Sequence, residues 1–149
     1  MKHSFFVLPA VVLSMFIFSG CWDDDDISDR EKLIELGQLF SGDDSRYISF
    51  YDDKRSGNRA QFGHKNVSGE WVTFVSKSWN INTNGYLELK NLYIREDATS
   101  PENKISDEEW YYEYKISKGS KKVELIYKTN WVSDYDEAAR SYAGSYYVR

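Results

Sequence analysis

From Tyr47 onward, apolar and polar residues alternate along the chain with a period of two. The clearest stretch places Trp110, Tyr112, Tyr114 and Ile116 in one phase, with mostly polar residues between them. Side chains of a strand point alternately to opposite faces, so this period predicts β-strands that bury one face. Further runs of this kind, separated by short turns, begin at the following residues: Tyr47, Ala60, Trp71, Leu87, Val123 and Ser145.

The spacing of these runs predicts a mainly β fold, an antiparallel meander of about six to eight strands. An open meander exposes unpaired edges, so we expect it to close into a small barrel or to curl strongly. A two-sheet β-sandwich is the alternative. The chain stops directly after Ser145–Arg149, and we expect this last run to be a structural, closing strand.

A short helix is predicted before the strands. Ser28 and Glu31 have the spacing of a capping box, in which each side chain satisfies a backbone N–H of the other residue. Leu33, Leu36 and Phe40 follow at helical spacing, and Gly42 offers a stop. We expect this helix to cover the core of the domain.

Two irregularities interrupt the alternation. Leu87 and Leu89 share one phase, whereas Leu92 and Ile94 share the other, which predicts a bulge or bend near Lys90-Asn91. Asn84-Gly85 predicts a hairpin turn, and residues 96–107 are expected to form an exposed, irregular loop. Residues 133–143 are expected to contain one helical turn.

The beginning of the chain has the features of a secretory leader. A basic segment, Met1–His3, precedes an apolar run over residues 5–18, and Ser19 and Gly20 stand before Cys21, the single cysteine. The run is shorter than the ~20 residues of a membrane-spanning helix and suits a signal peptide. Phe18-Ser19-Gly20-Cys21 resembles the lipobox of bacterial lipoproteins. The alternative is an ordinary cleaved signal peptide with Cys21 as a free thiol.

The lipoprotein resemblance implies three segments: a signal peptide over residues 1–20, an acidic tether over 21–27 and a single β-rich domain over 28–149. It also implies that Cys21 carries lipid, which anchors the protein to a membrane of the cell envelope. In enterobacterial lipoproteins, Asp directly after the cysteine causes inner-membrane retention. Trp22 in that position favours the periplasmic face of the outer membrane if the bacterium is Gram-negative.

Charge narrows the range of partners. The chain has a formal net charge of -5, and nucleic-acid binding calls for a clustered basic surface instead. We therefore expect no nucleic-acid partner, and the charge favours a cationic envelope protein. Asp23–Asp26 is interpreted as a solvated spacer. From Cys21 to Ser28 the chain can reach at most about 25 Å, so a partner would be met close to the bilayer.

Residues that could carry chemistry are few. His64 is the single histidine beyond the leader, and its phase predicts a partly buried, hydrogen-bonded strand residue. We find no nucleophile-elbow motif and no set of zinc ligands. Residues 80–91 lack the first Asp and the final Glu of an EF-hand loop, and are interpreted as a hairpin. We expect no enzyme activity, no cofactor and no metal.

The aromatic content is the remaining functional signal, with 5 Trp and 12 Tyr. In-phase aromatics are expected in the core, whereas Trp71, Trp79 and Tyr111 are candidates for an exposed binding patch. Alternation places Val72 and Phe74 on one face, and Trp71, Thr73, Val75 and Trp79 on the other. Gly69-Glu70-Trp71 resembles the Gly-x-Trp element of lipocalins, although it falls on the third predicted strand.

These observations favour a membrane-anchored envelope lipoprotein whose acidic, aromatic-rich β domain binds another protein near the membrane. Its role would be that of an accessory factor, an inhibitor or an immunity-type neutraliser. A lipocalin-like barrel that holds a small ligand is the alternative, and a hydrolase is the third hypothesis.

Overall fold

The structure of the protein, a computed structural model, describes residues 27–53, 57–105, 107–117, 119–128 and 134–149. It is mainly β, with 55% of residues in strands. In chain order the elements are α1 (Asp29–Leu36), β1 (Gln38–Ser41), β2 (Arg46–Asp53), β3 (Gly57–Lys65), β4 (Trp71–Ile81), β5 (Leu87–Arg95), β6 (Asn103–Lys104), β7 (Trp110–Ser117), β8 (Lys122–Lys128), α2 (Asp136–Ser141) and β9 (Gly144–Val148).

Eight of these strands close into an antiparallel barrel. Each strand from β1 to β5 pairs with the next one along the chain, and β7, β8 and β9 continue the same order after β5. The barrel closes where β9 pairs with β1, with Phe40 opposite Tyr147. The predicted barrel and its closing strand are therefore confirmed, and the sandwich alternative is wrong. Closure removes the free edges that an open meander would expose.

The N-terminal helix is shorter than the sequence predicts. Its capping box between Ser28 and Glu31 is present, but the helix ends at Leu36 and Gly37 caps it with φ of 70°. Residues 38–41 form β1, which pairs with β2 on one side and β9 on the other. The prediction of helix up to Gly42 is wrong because pairing with β2 and with β9, which is distant in sequence, overrides the apolar spacing. Phe40 consequently faces outward from the barrel wall.

A matched bend in β4 and β5 changes which face their side chains occupy. Asn91 has φ of 51°, and Leu89 and Leu92 are both buried on the inner side, so the predicted bend is confirmed. The same bend occurs in β4, where Ser76 faces inward opposite Leu92 and Trp79 faces inward opposite Leu89. Trp79 thus lies inside the barrel, and its predicted place on the Trp71 face is wrong.

Aromatic side chains fill the interior of the barrel. An eight-stranded barrel is just wide enough for its inward side chains to pack. Phe50 and Trp79 have ring centroids 4.9 Å apart, and Phe62 lies 5.6 Å from Tyr112. The prediction that in-phase aromatics form the core is confirmed. The largest fully buried rings are those of Trp79, Trp110, Tyr112, Tyr142, Tyr146, Phe50 and Phe62.

The two helices cover the ends of the barrel. On α1, Leu33 is fully buried in the core, and Arg30 donates hydrogen bonds to Asp52 and Asn58. At α2, the hydroxyl of Tyr112 donates to the carbonyl oxygen of Ala139 at 2.6 Å. The prediction that α1 covers the core is confirmed. Neither helix in the described part of the chain has the length and apolar character to cross a membrane.

Candidate functional site

The outer wall of the barrel is most heavily buried where β1 to β5 run side by side. Phe40, Tyr47, Gly63, Thr73 and Arg95 lie opposite one another in a single row across these strands. They point away from the interior, yet Tyr47 is only 7% exposed and Thr73 only 2%. An outward row that is buried to this extent must be covered by neighbouring side chains rather than by water.

Gly63 makes the close packing of this row possible. The ring of Tyr47 lies directly over Gly63, so a Cβ atom at Gly63 would come within 2.1 Å of Tyr47 Cε1. Glycine inside a strand marks this kind of close approach. The Tyr47 hydroxyl lies 3.1 Å from Thr73 Oγ1 and 3.4 Å from Gln61 Oε1, which fixes the ring across the wall.

The Tyr47 phenol stays protonated at neutral pH. Burial raises its pKa, while the hydrogen bond with Thr73 and the positive charge of Arg95 act in the opposite direction. The net effect is a pKa above the ordinary value of 10.0. Tyr47 therefore contributes a neutral ring and a hydrogen-bonded hydroxyl, rather than an anion, to the surface above it.

A groove of about 370 Å³ opens over this row, and we call it the Trp71 groove. The rings of Tyr47 and Trp71 meet edge to face with centroids 5.0 Å apart. Phe40 lies 6.2 Å from Tyr47 on the other side. The lining combines three aromatic rings with one cation and contains no carboxylate; its members are Gln38, Phe40, Tyr47, Trp71, Thr73, Arg95 and Ala98.

The segment after β5 is held against the wall beside the groove. Glu102 forms ion pairs with Arg59 and with Lys77, the latter at 3.3 Å. The Lys77 ammonium also lies 3.8 Å from the ring centroid of Tyr93. Burial raises the pKa of Glu102, but the hydrogen bonds and charges of the two cations outweigh it and hold the pKa below its usual value.

This packing corrects the prediction of an exposed, irregular loop over residues 96–107. The segment contains β6, which pairs with Tyr93 and Ile94, and Ile105 is buried at 6% exposure. Ile105 donates a backbone hydrogen bond to Leu92, which extends the pairing beyond β6. The sequence did not reveal this anchoring because the partners of the segment lie on three other strands.

The predicted binding residues do not form one patch. Trp71 is half-buried and lines the groove. Trp79 is fully buried inside the barrel, so it cannot contribute to an exposed surface. Tyr111 faces outward but pairs with Glu88, which pairs with Asn80 near the far end of β4. That row is roughly 30 Å from Trp71 at ~3.3 Å per residue. Cys21 lies outside the described residues, as do most of the acidic tether and Trp131.

Tyr111 is also engaged locally. Its hydroxyl donates a hydrogen bond to Glu109. Burial, together with the hydrogen bond to Glu109 and its charge, raises the pKa of the phenol above its ordinary value. The ring is therefore held at the surface of β7, away from the Trp71 groove, and does not extend it.

Phe40, Tyr47 and Arg95 are among the groove residues that sequence reasoning missed. Phe40 was assigned to a helix, and Tyr47 was treated as the first residue of a strand rather than as a surface ring. The available signal was Gly63, a glycine in mid-strand opposite Tyr47. Arg95 carries no local signal, because its position next to Thr73 depends on the register between β4 and β5.

His64 has the environment that its phase predicts. It is partly buried, and its Nδ1 atom lies 2.7 Å from the hydroxyl of Tyr142. That hydroxyl donates its single proton to the carbonyl oxygen of Phe62 at 3.0 Å, so His64 Nδ1–H must be the donor to Tyr142. Burial lowers the pKa of His64. The prediction of a hydrogen-bonded strand residue is confirmed.

Within the described part of the chain, no three His, Cys, Asp or Glu residues lie close enough together to bind a metal ion. The EF-hand-like segment forms the β4–β5 hairpin, as predicted. Asn82 Oδ1 accepts backbone hydrogen bonds from Asn84 and Tyr86, and Gly85 has φ of 78°. The side-chain oxygen of Asn82 thus closes a turn instead of facing a cation.

Comparison with known proteins adds no relative. No family model matches the chain, and no curated protein or solved structure is detectably similar to it. The residues of the chain itself are therefore the basis for inferring its function.

Proposed function

We propose that this protein is a lipid-anchored envelope lipoprotein whose barrel binds another protein through the Trp71 groove. The observation that carries the proposal is a contrast between the two faces of the barrel wall. The interior is packed with rings, whereas the outer wall keeps Trp71, Tyr47 and Phe40 around an open groove. Aromatic rings in a pocket next to an arginine are typical of the energetic centre of a protein interface.

The size of the groove supports a protein partner that inserts a side chain. At about 370 Å³ the groove is at the small end of the ~300–1,000 Å³ range of ligand sites. It would hold one large side chain or two small ones, while the surrounding wall supplies the rest of the interface. A lipocalin-like function would need room inside the barrel, whereas large aromatic and aliphatic side chains pack against one another in the interior of the described part.

The anchor part of the proposal depends on the lipobox resemblance at Cys21. A lipid at that position would confine the domain to a layer near the membrane and raise the effective concentration of a partner in that layer. The net charge of -5 would speed the approach of a cationic envelope protein. An accessory, inhibitory or immunity-type role fits this combination.

Site-specific photo-crosslinking in cells tests the binding surface. A benzoylphenylalanine that replaces Phe40 in the groove should crosslink to a discrete envelope protein. The matched control replaces Ile126, which is 57% exposed on β8 and not part of the groove. We expect the Phe40 crosslink to disappear in the Trp71→Ala background. Equal crosslinking from both positions, or none from Phe40, would contradict the proposal.

The anchor is tested separately with Cys21→Ser. The variant should lose metabolic labelling by fatty acid and move from the membrane fraction to the soluble fraction, and the Phe40 crosslink should weaken. Unchanged membrane fractionation of this variant would refute the lipid anchor while leaving the groove to be judged by the crosslink alone.

A further inference from the structure

We infer that the Trp71 groove recognises an acidic segment of its partner protein, in which a carboxylate lies next to an aromatic or large apolar side chain. The inference rests on the proposed function and names the chemistry of the partner at that same site. The carboxylate would pair with Arg95, and the neighbouring side chain would pack on Trp71, Tyr47 and Phe40.

Arg95 differs from the other arginines of the described residues in having no protein partner. Arg30, Arg59, Arg140 and Arg149 each pair with a carboxylate. Arg46 instead donates to the carbonyl oxygens of Ser141 and Ala143. The Arg95 backbone pairs with Thr73 in the sheet, but its guanidinium forms no hydrogen bond or ion pair with the described residues. A guanidinium presents several donors in a planar fork that matches a carboxylate, so Arg95 is available for one.

The nearby acidic side chains do not line the groove. The Asp97 carboxylate is engaged locally: it accepts hydrogen bonds from the Thr99 hydroxyl and from the backbone N–H groups of Thr99 and Ser100, which hold its pKa at about 2. Glu70 and Glu96 adjoin Trp71 and Arg95 in sequence but are not part of the lining. An anion in the groove would thus meet Arg95 without a carboxylate between them.

A second cation strengthens the preference for an anion. The ammonium of Lys65 lies 5.3 Å from the ring centroid of Trp71, and Lys65 is opposite Trp71 in the β3–β4 register. The groove therefore has the Arg95 guanidinium in its lining and a second positive charge, that of Lys65, beside the Trp71 ring. Apolar rings flanked by cations match a ligand that carries both a ring and a carboxylate.

The anion preference is a local property that opposes the overall field. The net charge of -5 repels acidic segments at long range, but beyond about 8–10 Å salt screens that field under cellular conditions. Within the groove, Arg95 acts at contact distance. A variant that lowers the net charge elsewhere by the same amount should therefore leave the preference intact, which separates local recognition from general electrostatics.

A matched pair of small probes tests this inference by NMR. N-acetyl-L-phenylalanine carries a ring and a carboxylate, and N-acetyl-L-phenylalaninamide carries the same ring without the charge. Titration into the ¹⁵N-labelled, non-lipidated Cys21→Ser protein, followed through the Trp71 indole N–H, should give millimolar Kd values. We expect the carboxylate probe to bind about fivefold more tightly than the amide.

Variants assign the preference to Arg95. Arg95→Gln should bring the two Kd values to about the same magnitude without weakening the amide probe, and Arg95→Lys should keep part of the difference. Lys115→Gln, on the outer side of β7 and outside the groove, removes the same charge and should preserve it. Cooperative thermal unfolding of each variant verifies that it is folded.

Three results would overturn the inference: equal affinity for both probes, an unchanged preference in Arg95→Gln, or no shift of Trp71 with either probe. In each case the photo-crosslink from Phe40 tests independently whether the groove binds a protein. A persistent crosslink with no anion preference would leave a protein-binding groove whose partner is not acidic.

Discussion

Two tryptophans on β4 lie on opposite faces of the barrel wall although they share the same phase in the sequence. Trp71 is half-buried on the outer wall and lines the groove, whereas Trp79 is fully buried inside the barrel. The bend at Lys77 of β4 and Asn91 of β5 lies between the two tryptophans, so that the phase which points outward before the bend points inward after it. A single irregularity therefore decides which tryptophan is available to a partner and which one stabilises the fold.

The surroundings of the two rings show what each is suited to. The Trp79 indole N–H donates to the carbonyl oxygen of Tyr51 at 3.1 Å, and the Arg30 guanidinium lies 4.6 Å from its ring centroid. Trp79 thus joins α1 to β2 and β4. Trp71 meets Tyr47 in an edge contact, and its indole N–H donates no hydrogen bond to the described residues, so this N–H can serve a partner.

Replacing each tryptophan by alanine should give the largest difference between the two, since Trp79 stabilises the fold and Trp71 binds the partner. Trp79→Ala leaves a large cavity in the core and should lower the free energy of unfolding by about 3–5 kcal/mol. Trp71→Ala should lower the free energy of unfolding by about 1 kcal/mol or less, because the Trp71 ring is half-exposed. The same substitution should abolish binding of the partner. Urea denaturation of both variants measures this difference. Similar destabilisation by the two changes would refute the assignment of inner and outer faces.

Adding one methyl group at Gly63 should disrupt the packing of Tyr47 on the outer wall, next to Trp71. Gly63→Ala places Cβ against the Tyr47 ring, and the strain should cost about 1–3 kcal/mol. Gly42→Ala is the matched control, since nothing lies within 4 Å of its Cβ position. Thermal and urea unfolding should distinguish the two variants. If Tyr47→Ala in the same chain does not reduce the cost of Gly63→Ala, the proposed contact is wrong.

The bend itself should depend on Ser76. Its buried hydroxyl lies 2.7 Å from the carbonyl oxygen of Lys90 and accepts the backbone N–H of Ser78 at 3.3 Å. Ser76→Ala leaves these groups unpaired and should cost about 1–2 kcal/mol. Exposed Ser78→Ala should change stability much less. NMR of the Trp79 indole N–H would show whether its environment changes with the bend, and no change in stability would argue against this role.

Protonation of His64 should give the smallest effect. Burial lowers its pKa below the ordinary 6.5, so the unfolded chain takes up the proton at higher pH than the folded protein. The neutral side chain therefore favours folding above pH 6.5, and this stabilisation is lost as pH falls through 6.5 towards the lower folded pKa. Between about pH 8 and about pH 5, the wild type should lose more stability than His64→Gln. Parallel losses would contradict this.

Much of the barrel could be predicted because its signals are local. The period of two identified β2 to β5 and β7 to β9, Asn84-Gly85 marked the hairpin, and the phase change at Leu92 predicted a bend. The candidate site was less accessible. Trp71 was named as a candidate because it belongs to the mixed aromatic run Trp71–Trp79. Phe40 and Arg95 join it only through pairing between strands, and Trp79 was misplaced because the partner bend in β4 has no signature of its own.

The sequence by itself determined the alternation, the capping box and the turn residues, because each depends on neighbours within a few positions. Tertiary structure decided that Gln38–Ser41 is a strand, since this segment is stabilised by pairing with the opposite end of the chain at β9. It also decided where the groove lies. Tyr47 can cover Gly63 only after β2 and β3 are in register, and Arg95 reaches that row only when β5 pairs with β4.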